Sequence, residues 1–325
     1  MDPVRIEMER ILCPVDFSVF SSRAMERAVR LGDWFDARVE ALHVVPFITP
    51  AGVGLPYFPA PVSALREQSE KELARFVEPF LDEGVPIDTR VLEGDPWRAI
   101  RDEALALPAD LLVMGTHGRS GFEHLLLGSV TEKVMRRAPC PVLTMGAVPA
   151  PSRVGPLFRR ILCAADLTHA SERTLAMGLS LAEENASRIT LLHVVEYPPG
   201  EYGAHLYLAV PEIGPLRRDL LEQARASLGK AVPDEARDFC DVTERVEMGA
   251  AWRQILRVAE ETDADLIVMG EHAHGAVSRA FFGSTTTHVV RQAACPVLVV
   301  RETEARKDES QTTHAAAAVS SRPGR

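Results

Sequence analysis

Lysine is scarce in this chain: only Lys71, Lys133, Lys230 and Lys307 occur among 325 residues. Acids outnumber Lys and Arg by 46 to 36, for a formal net charge of -10. That balance argues against a nucleic-acid surface, whose usual footprint is a basic stripe. No Lys/Arg cluster suggests an anionic lipid surface either. No apolar run approaches the roughly eighteen residues a membrane span requires, so no span is expected. The opening segment MDPVRIEMER mixes acids and bases and has no apolar signal core. None of the five cysteines forms a CxxC pair, and four lie in apolar runs, where they read as small buried hydrophobes. An odd count without an export signal favours a reducing cytoplasm. What is present, 46% hydrophobic and 25% charged residues, suffices for one large core or two ordinary ones.

The chain repeats itself. ERILCPVD, from Glu9, aligns with RRILCAAD, from Arg159, so that Asp16 meets Asp166 and His43 meets His193 at an offset of 150. Further on, ADLLVMG from Ala109 matches ADLIVMG from Ala264 at an offset of 155, so the second copy has gained five residues in its middle. Each copy is domain-sized rather than solenoid-sized. The expected organisation is a first domain over 1–145, a Pro/Gly-rich linker over 146–158, a second domain over 159–300 and a polar, disordered tail over 301–325.

Within each copy, strands and helices alternate. RILCPVD is an apolar strand ending in an acid, and SSRAMERAVRLGDWF has helical spacing with a serine cap. RVEALHVV is a strand, SEKELARFVEPFLDEG a helix closed by Gly84, and IDTRVLEG a strand. DPWRAIRDEALAL is a helix with Pro96 in its first turn. ADLLVMG and CPVLTM are short apolar strands on either side of a helix that follows Gly128. Strands rich in Val, Ile and Leu throughout are buried on both faces, the mark of a parallel sheet wrapped by crossover helices. The expected fold class is α/β, with two tandem, open, mostly parallel five-stranded sheets carrying helices on both faces. Each sheet would end in an exposed apolar edge, CPVLTM or CPVLVV, and pairing those edges within the chain would cover both.

The strand ADLLVMG runs into a glycine-rich loop with the spacing Gly115, two residues, Gly118, nine residues, Gly128, then Ser129. Glycines allow close backbone approach and positive φ, so that N–H groups can converge on an anion. Gly128-Ser129 stands at a helix start, and the loop leaves the carboxyl end of a strand, where open α/β sheets place ligands. No lysine follows the glycines, so this is not a Walker A loop; nor is it a GxGxxG fingerprint. Backbone N–H groups, Ser129 and Arg119 are suited to hold phosphate without strongly activating its transfer. The plainer reading is a turn with a capping serine. Asp16 and its copy Asp166 either accept from a ribose hydroxyl or base, or cap the next helix. His43, inside an apolar strand, reads as a satisfied core histidine.

Taken together, CPVD ending at Asp16, LHVV from Leu42, MGTHGRSG from Met114, GSVTEKV from Gly128 and CPVL from Cys140 resemble the universal stress proteins of the UspA superfamily, twice over in tandem. The first copy fits that family's ATP-binding pattern, G-x2-G-x9-G-[ST], in full. The resemblance implies a Rossmann-like fold of the adenine nucleotide alpha hydrolase-like kind. It implies that Asp16 and the Val44 backbone hold adenosine, with Pro14 lining the pocket. Met114, Gly115, His117 and Gly118 would lie beside ribose and phosphates. Gly128, Ser129, Val130 and Thr131 would bind the phosphate chain, with ATP accompanied by Mg2+. It further implies a cytoplasmic stress-response regulator, a homodimer and an unidentified regulatory protein partner. No catalytic base stands out, so a slow ATPase is the alternative, and a scaffold without ligand a second one.

The second copy departs from the pattern. Gly270 and Gly283-Ser284 stay in register, but Ala273 replaces the middle glycine and Glu271 replaces Thr116, bringing negative charge towards the expected phosphates. Asp166, Val194, Gly270, Gly283, Ser284, Thr285 and Thr286 are the contacts expected there, with weaker or altered binding. His272 and His274 hint at metal, but no Cys or carboxylate spacing completes a zinc site, so a surface loop is the reading and no metal ligand is assigned.

Overall fold

The computed structural model describes residues 8–46, 62–118, 127–146, 156–168, 171–184, 186–196, 213–234, 236–271 and 283–301. The first half runs β1 (Arg10–Val15), α1 (Val19–Phe35), β2 (Arg38–Val45), α2 (Val62–Val77), β3 (Ile87–Glu93), α3 (Pro96–Ala106), β4 (Leu111–Gly115), α4 (Ser129–Met135) and β5 (Val142–Met145). The second runs β6 (Arg160–Ala164), α5 (Ser171–Glu184), β7 (Arg188–Val195), α6 (Ile213–Ala231), α7 (Ala236–Phe239), β8 (Asp241–Met248), α8 (Ala251–Glu261), β9 (Leu266–Gly270), α9 (Ser284–Gln292) and β10 (Val297–Val300).

The two halves form one sheet rather than two. Its order is β3-β2-β1-β4-β5-β10-β9-β6-β7-β8. Strands within each half are parallel, and the halves meet antiparallel, with Leu143 opposite Leu298. The two five-stranded halves expected are present but are not divided into two sheets, because the expected pairing of their apolar edges joins them. The physical cause is the edge problem itself: an apolar run such as VLTM cannot leave its backbone groups and Val142 and Leu143 in water. Joining β5 to β10 removes both apolar edges, and Thr144 adds a side-chain bond across the seam, donating to the Val297 carbonyl at 3.1 Å. The remaining edges, β3 and β8, are polar (IDTRVLE and DVTERVEM).

Alternate residues of each strand feed two cores. Ile11, Cys13 and Val15 face Ala24, Met25 and Ala28 of α1, whereas Leu12, Leu42 and Val44 face Ile100 of α3 and Val134 of α4. Both cores run through the seam into the second half. The cysteines behave as hydrophobes: burial pushes the Cys163 thiol up to about 12, and Cys13 higher still. Local details differ from the sequence reading. Ser18, one turn earlier than the serines of SSRAM, caps α1, and Pro79 ends α2 early in a 3-10 turn over Glu78–Glu83, closed by Gly84 at φ 79°.

One charge on this framework is poorly housed. Glu40 of β2 is pushed up to about 7, first by burial and then by the nearby Glu103. A carboxyl raised above its ordinary 4.5 is protonated in folded and unfolded states alike below that pH. As pH climbs from 4.5 towards 7 the unfolded chain releases its proton first, so stability falls and stays lower above. Glu40→Gln is therefore expected to stabilise by about 1 kcal/mol at pH 8, after allowance for partial solvent screening, and by almost nothing at pH 4.5. Urea melts at the two pH values check this. The second copy already carries Thr190 at the matching place.

Candidate functional site

In each half the strand order reverses beside the first strand: β1 lies between β2 and β4, and β6 between β7 and β9. Open α/β sheets place ligands in the crevice outside the carboxyl ends of strands at such a reversal. Most of the sequence-derived candidates converge there.

Asp16 follows β1 directly. Its Oδ1 accepts from the Ser18 N–H at 3.0 Å, through a turn in which Phe17 takes a left-handed φ of 63°. Asp16 thus serves the turn before the cap, while Ser18 itself caps α1. Its other oxygen faces the glycine loop: a Cβ on residue 118 would stand 2.7 Å from Asp16 Oδ2. Pro14 is half-buried beside it, and Val44 is buried at the end of β2. His43 Nδ1 sits 2.7 Å from the Val15 carbonyl and its ring 4.4 Å from Phe17. His193 repeats the bond to Ala165 at 2.9 Å.

The loop is pinned at its neck. Met114 and Gly115 end β4, buried, and Thr116 donates to the Met145 carbonyl from both N–H and hydroxyl. His117 Nδ1 lies 2.9 Å from the Thr116 hydroxyl, and its ring lies 5.1 Å from Phe20. On the return, the Gly128 N–H donates to the Thr116 carbonyl at 2.8 Å. Thr131 is buried, and its hydroxyl donates to the Gly115 carbonyl at 2.8 Å, so its hydroxyl proton is committed to the loop neck. Ser129 is exposed and Val130 half-buried in the first turn of α4, where N–H groups lack helical partners. Arg119 lies outside the described residues, as do His272, Ala273, His274 and Gly275.

The glycines do their work through closeness rather than through handedness. Gly115, Gly118 and Gly128 all have φ outside the left-handed region. At Gly115 the neighbour is the first turn of α1: an added Cβ would lie 2.7 Å from Phe20 Cβ and 3.0 Å from its carbonyl carbon. Gly115→Ala is therefore expected to cost about 1–2 kcal/mol, by forcing α1 off β4, and to lower the urea midpoint without any ligand present.

The second crevice copies the frame. Leu167 takes φ 62°, and Asp166 Oδ1 accepts from the Thr168 N–H at 3.0 Å and hydroxyl at 2.6 Å. Val194 is buried at the end of β7, Gly270 ends β9, and Thr285 and Thr286 are buried in α9 with Ser284 exposed before them. The Thr286 hydroxyl donates to the Gly270 carbonyl at 3.1 Å. Glu271 corrects the sequence reading. It does not bring bare negative charge to the crevice: it is buried, and Arg301 grips both its oxygens at 2.6 and 3.0 Å. Arg301 also donates to the Ala138 carbonyl of the first half, so the pair is built into the seam. Sequence reasoning missed Arg301 because it stands where the polar tail begins.

A family model described as the universal stress protein family matches residues 7–145 and again 157–301. The chain belongs to the universal stress protein family. It carries two such domains in tandem. A universal stress protein of Methanocaldococcus jannaschii is 40% identical over 140 residues, covering 42% of this chain and 81% of that one. Another, of Mycolicibacterium smegmatis, is 26% identical over 299 residues, covering 90% of this chain and 96% of that one. The crystal structure of a universal stress protein from Archaeoglobus fulgidus superposes with a TM-score of 0.65 at 22% identity, covering 91% of this chain and 97% of that one, which shows the shared fold. No described helix of this universal stress protein is long and apolar enough to cross a membrane. Among its described residues no three His, Cys, Asp or Glu side chains gather as a metal site.

Proposed function

We propose that the first domain binds ATP in the β1/β4 crevice and that occupancy regulates the protein's contacts with a partner. One observation carries the reading: the carboxylate ending β1 stands against Gly118, with the Gly128-Ser129 turn anchored to the same loop neck. A carboxylate beside a glycine-lined backbone suits a nucleotide, offering an acceptor to ribose hydroxyls and N–H donors to phosphates. The residues present fit such a group, because a side chain at 118 would obstruct the carboxylate. Asp16 and the Val44 backbone would hold the nucleoside, and Gly115, His117 and Gly118 would flank the ribose. The N–H groups of Gly128, Ser129, Val130 and Thr131 would meet phosphate. Mg2+ would be held mainly by phosphate oxygens and water, as this ion prefers. Asp166, Val194, Gly270, Gly283, Ser284, Thr285 and Thr286 form the matching set in the second domain, where binding would be weaker.

Binding would order the loops and shift their populations. Hydrolysis would be slow, since Asp16, the carboxylate that the described residues place at the crevice, has one oxygen held by the turn. Five free cysteines, three of them buried, accord with action in the cytoplasm. A homodimer presenting two such pairs of domains completes the reading. Calorimetric titration of ATP with Mg2+ into wild type and Asp16→Ala tests it. The expected result is saturable binding by wild type and at least about tenfold weaker binding by the variant, roughly 1.4 kcal/mol. Equal affinity of the two proteins would remove Asp16 from the site.

A further inference from the structure

Both crevices lie at the carboxyl ends of the strands. At the opposite end, where β6, β7 and β8 begin, the second half carries a groove of about 610 Å³. Its charged lining is Arg159, Arg160, Arg188 and Arg237 against Asp238 and Asp241. The ring of Phe239, 57% exposed, stands among them. Small-molecule pockets run from about 300 to 1,000 Å³ and combine a few convergent polar groups with an apolar surface.

The internal repeat supplies a control. At the matching places the first copy has Glu9 for Arg159, Asp36 for Ala186, Asp82 for Arg237 and Gly84 for Phe239. Only Arg10 and Arg38 are kept, as Arg160 and Arg188. One fold therefore tolerates an acidic end in the first half and an arginine-rich end in the second, within a chain of net charge -10. The framework does not require an arginine at position 159. Position 159 serves the fold through its backbone, whose N–H donates to Asp265 at 2.9 Å, and Glu9 does the same to Asp110 at 2.8 Å. The Arg159 guanidinium has no partner among the described residues.

The other three arginines are oriented but not exhausted. Arg160 Nε donates to the Asp263 carbonyl at 2.6 Å, Arg188 Nε to Asp241 at 2.8 Å, and Arg237 to Glu244. A guanidinium has five N–H donors, so each keeps several. A ligand must compete with carboxylates already present, which favours a doubly charged group with several acceptor oxygens over a single carboxylate.

We propose that this groove is a further ligand site, separate from the two nucleotide crevices, for a phosphorylated small molecule whose planar or apolar part rests on Phe239. Inorganic pyrophosphate is the probe, titrated at low salt into the full chain and followed by calorimetry. Arg159→Glu and Arg237→Asp install residues that the first copy already uses. Each is expected to weaken pyrophosphate binding roughly tenfold or more; Arg159→Glu should leave the melting temperature unchanged, whereas Arg237→Asp should lower it, because it replaces the Arg237–Glu244 bond with two facing carboxylates. Gly118→Ala is expected to leave this binding intact, and acetate at equal ionic strength should not compete. Unchanged affinity in both arginine variants, loss of binding in Gly118→Ala instead, effective competition by acetate, or no binding by wild type would each overturn the proposal.

Discussion

Arg301→Ala is expected to destabilise the protein by about 3 kcal/mol, the largest effect of any single substitution considered. The reason is what it leaves behind. Glu271 is buried and lies in the neck of the second loop, and its two oxygens are satisfied by one guanidinium. Removing that guanidinium strands a buried carboxylate, which costs far more than the pair itself contributes. The same side chain bonds the Ala138 carbonyl across the β5/β10 seam, so the loss falls where the two halves meet. The first copy shows how the position can do without charge: Thr116 and Gly146 occupy the places of Glu271 and Arg301. The double variant Glu271→Thr with Arg301→Gly should accordingly recover most of the stability. A double-mutant cycle by urea denaturation measures this coupling. Additive losses from the two single changes would show that the pair is not a unit.

Gly118→Ala is expected to lower ATP affinity at least about tenfold, or roughly 1.4 kcal/mol, while leaving the unliganded protein nearly as stable as wild type. Residue 118 has an ordinary φ, so alanine brings no backbone strain. Among the described residues its one close neighbour is Asp16 Oδ2, at 2.7 Å from the new Cβ. The Oδ2 side of the carboxylate must shift away from residue 118, while Oδ1 keeps the Ser18 N–H. The damage is confined to the group assigned to the ribose. Gly115→Ala provides the contrast: there the neighbour is helix backbone, and stability falls before any ligand is added. The second copy carries Ala273 where the first has Gly118, so the variant reproduces one of the differences between the two sites. Calorimetry on the ligand side and thermal melts on the protein side separate the two effects.

Much of this was legible in the residues. The repeat offset, the apolar strands and the acids that follow β1 and β6 were legible, because strands buried on both faces read as continuous apolar runs. The seam was legible as two apolar edges that pairing within the chain would cover, and β5 and β10 do pair; what the residues did not record is the antiparallel register with Leu143 opposite Leu298. Other features leave little trace. Nothing in CPVDFS marks Phe17 for a left-handed turn, since a bulky residue is held there only by its surroundings. The role of the loop glycines was read partly as positive φ, whereas close contact with Asp16 and Phe20 is what requires them. Glu271 looked like a repulsive charge because its partner lies thirty residues on, at the edge of a polar tail. Pairings of that kind are set by tertiary structure, and a one-dimensional pattern does not record them.

The most direct test of the central claim is to purify the protein gently, denature it, and identify and count the released nucleotides by chromatography and mass spectrometry. The account predicts ATP at about one per chain, held in the first domain by a preformed crevice. No released nucleotide, together with no ATP binding in calorimetry with Mg2+, would contradict it.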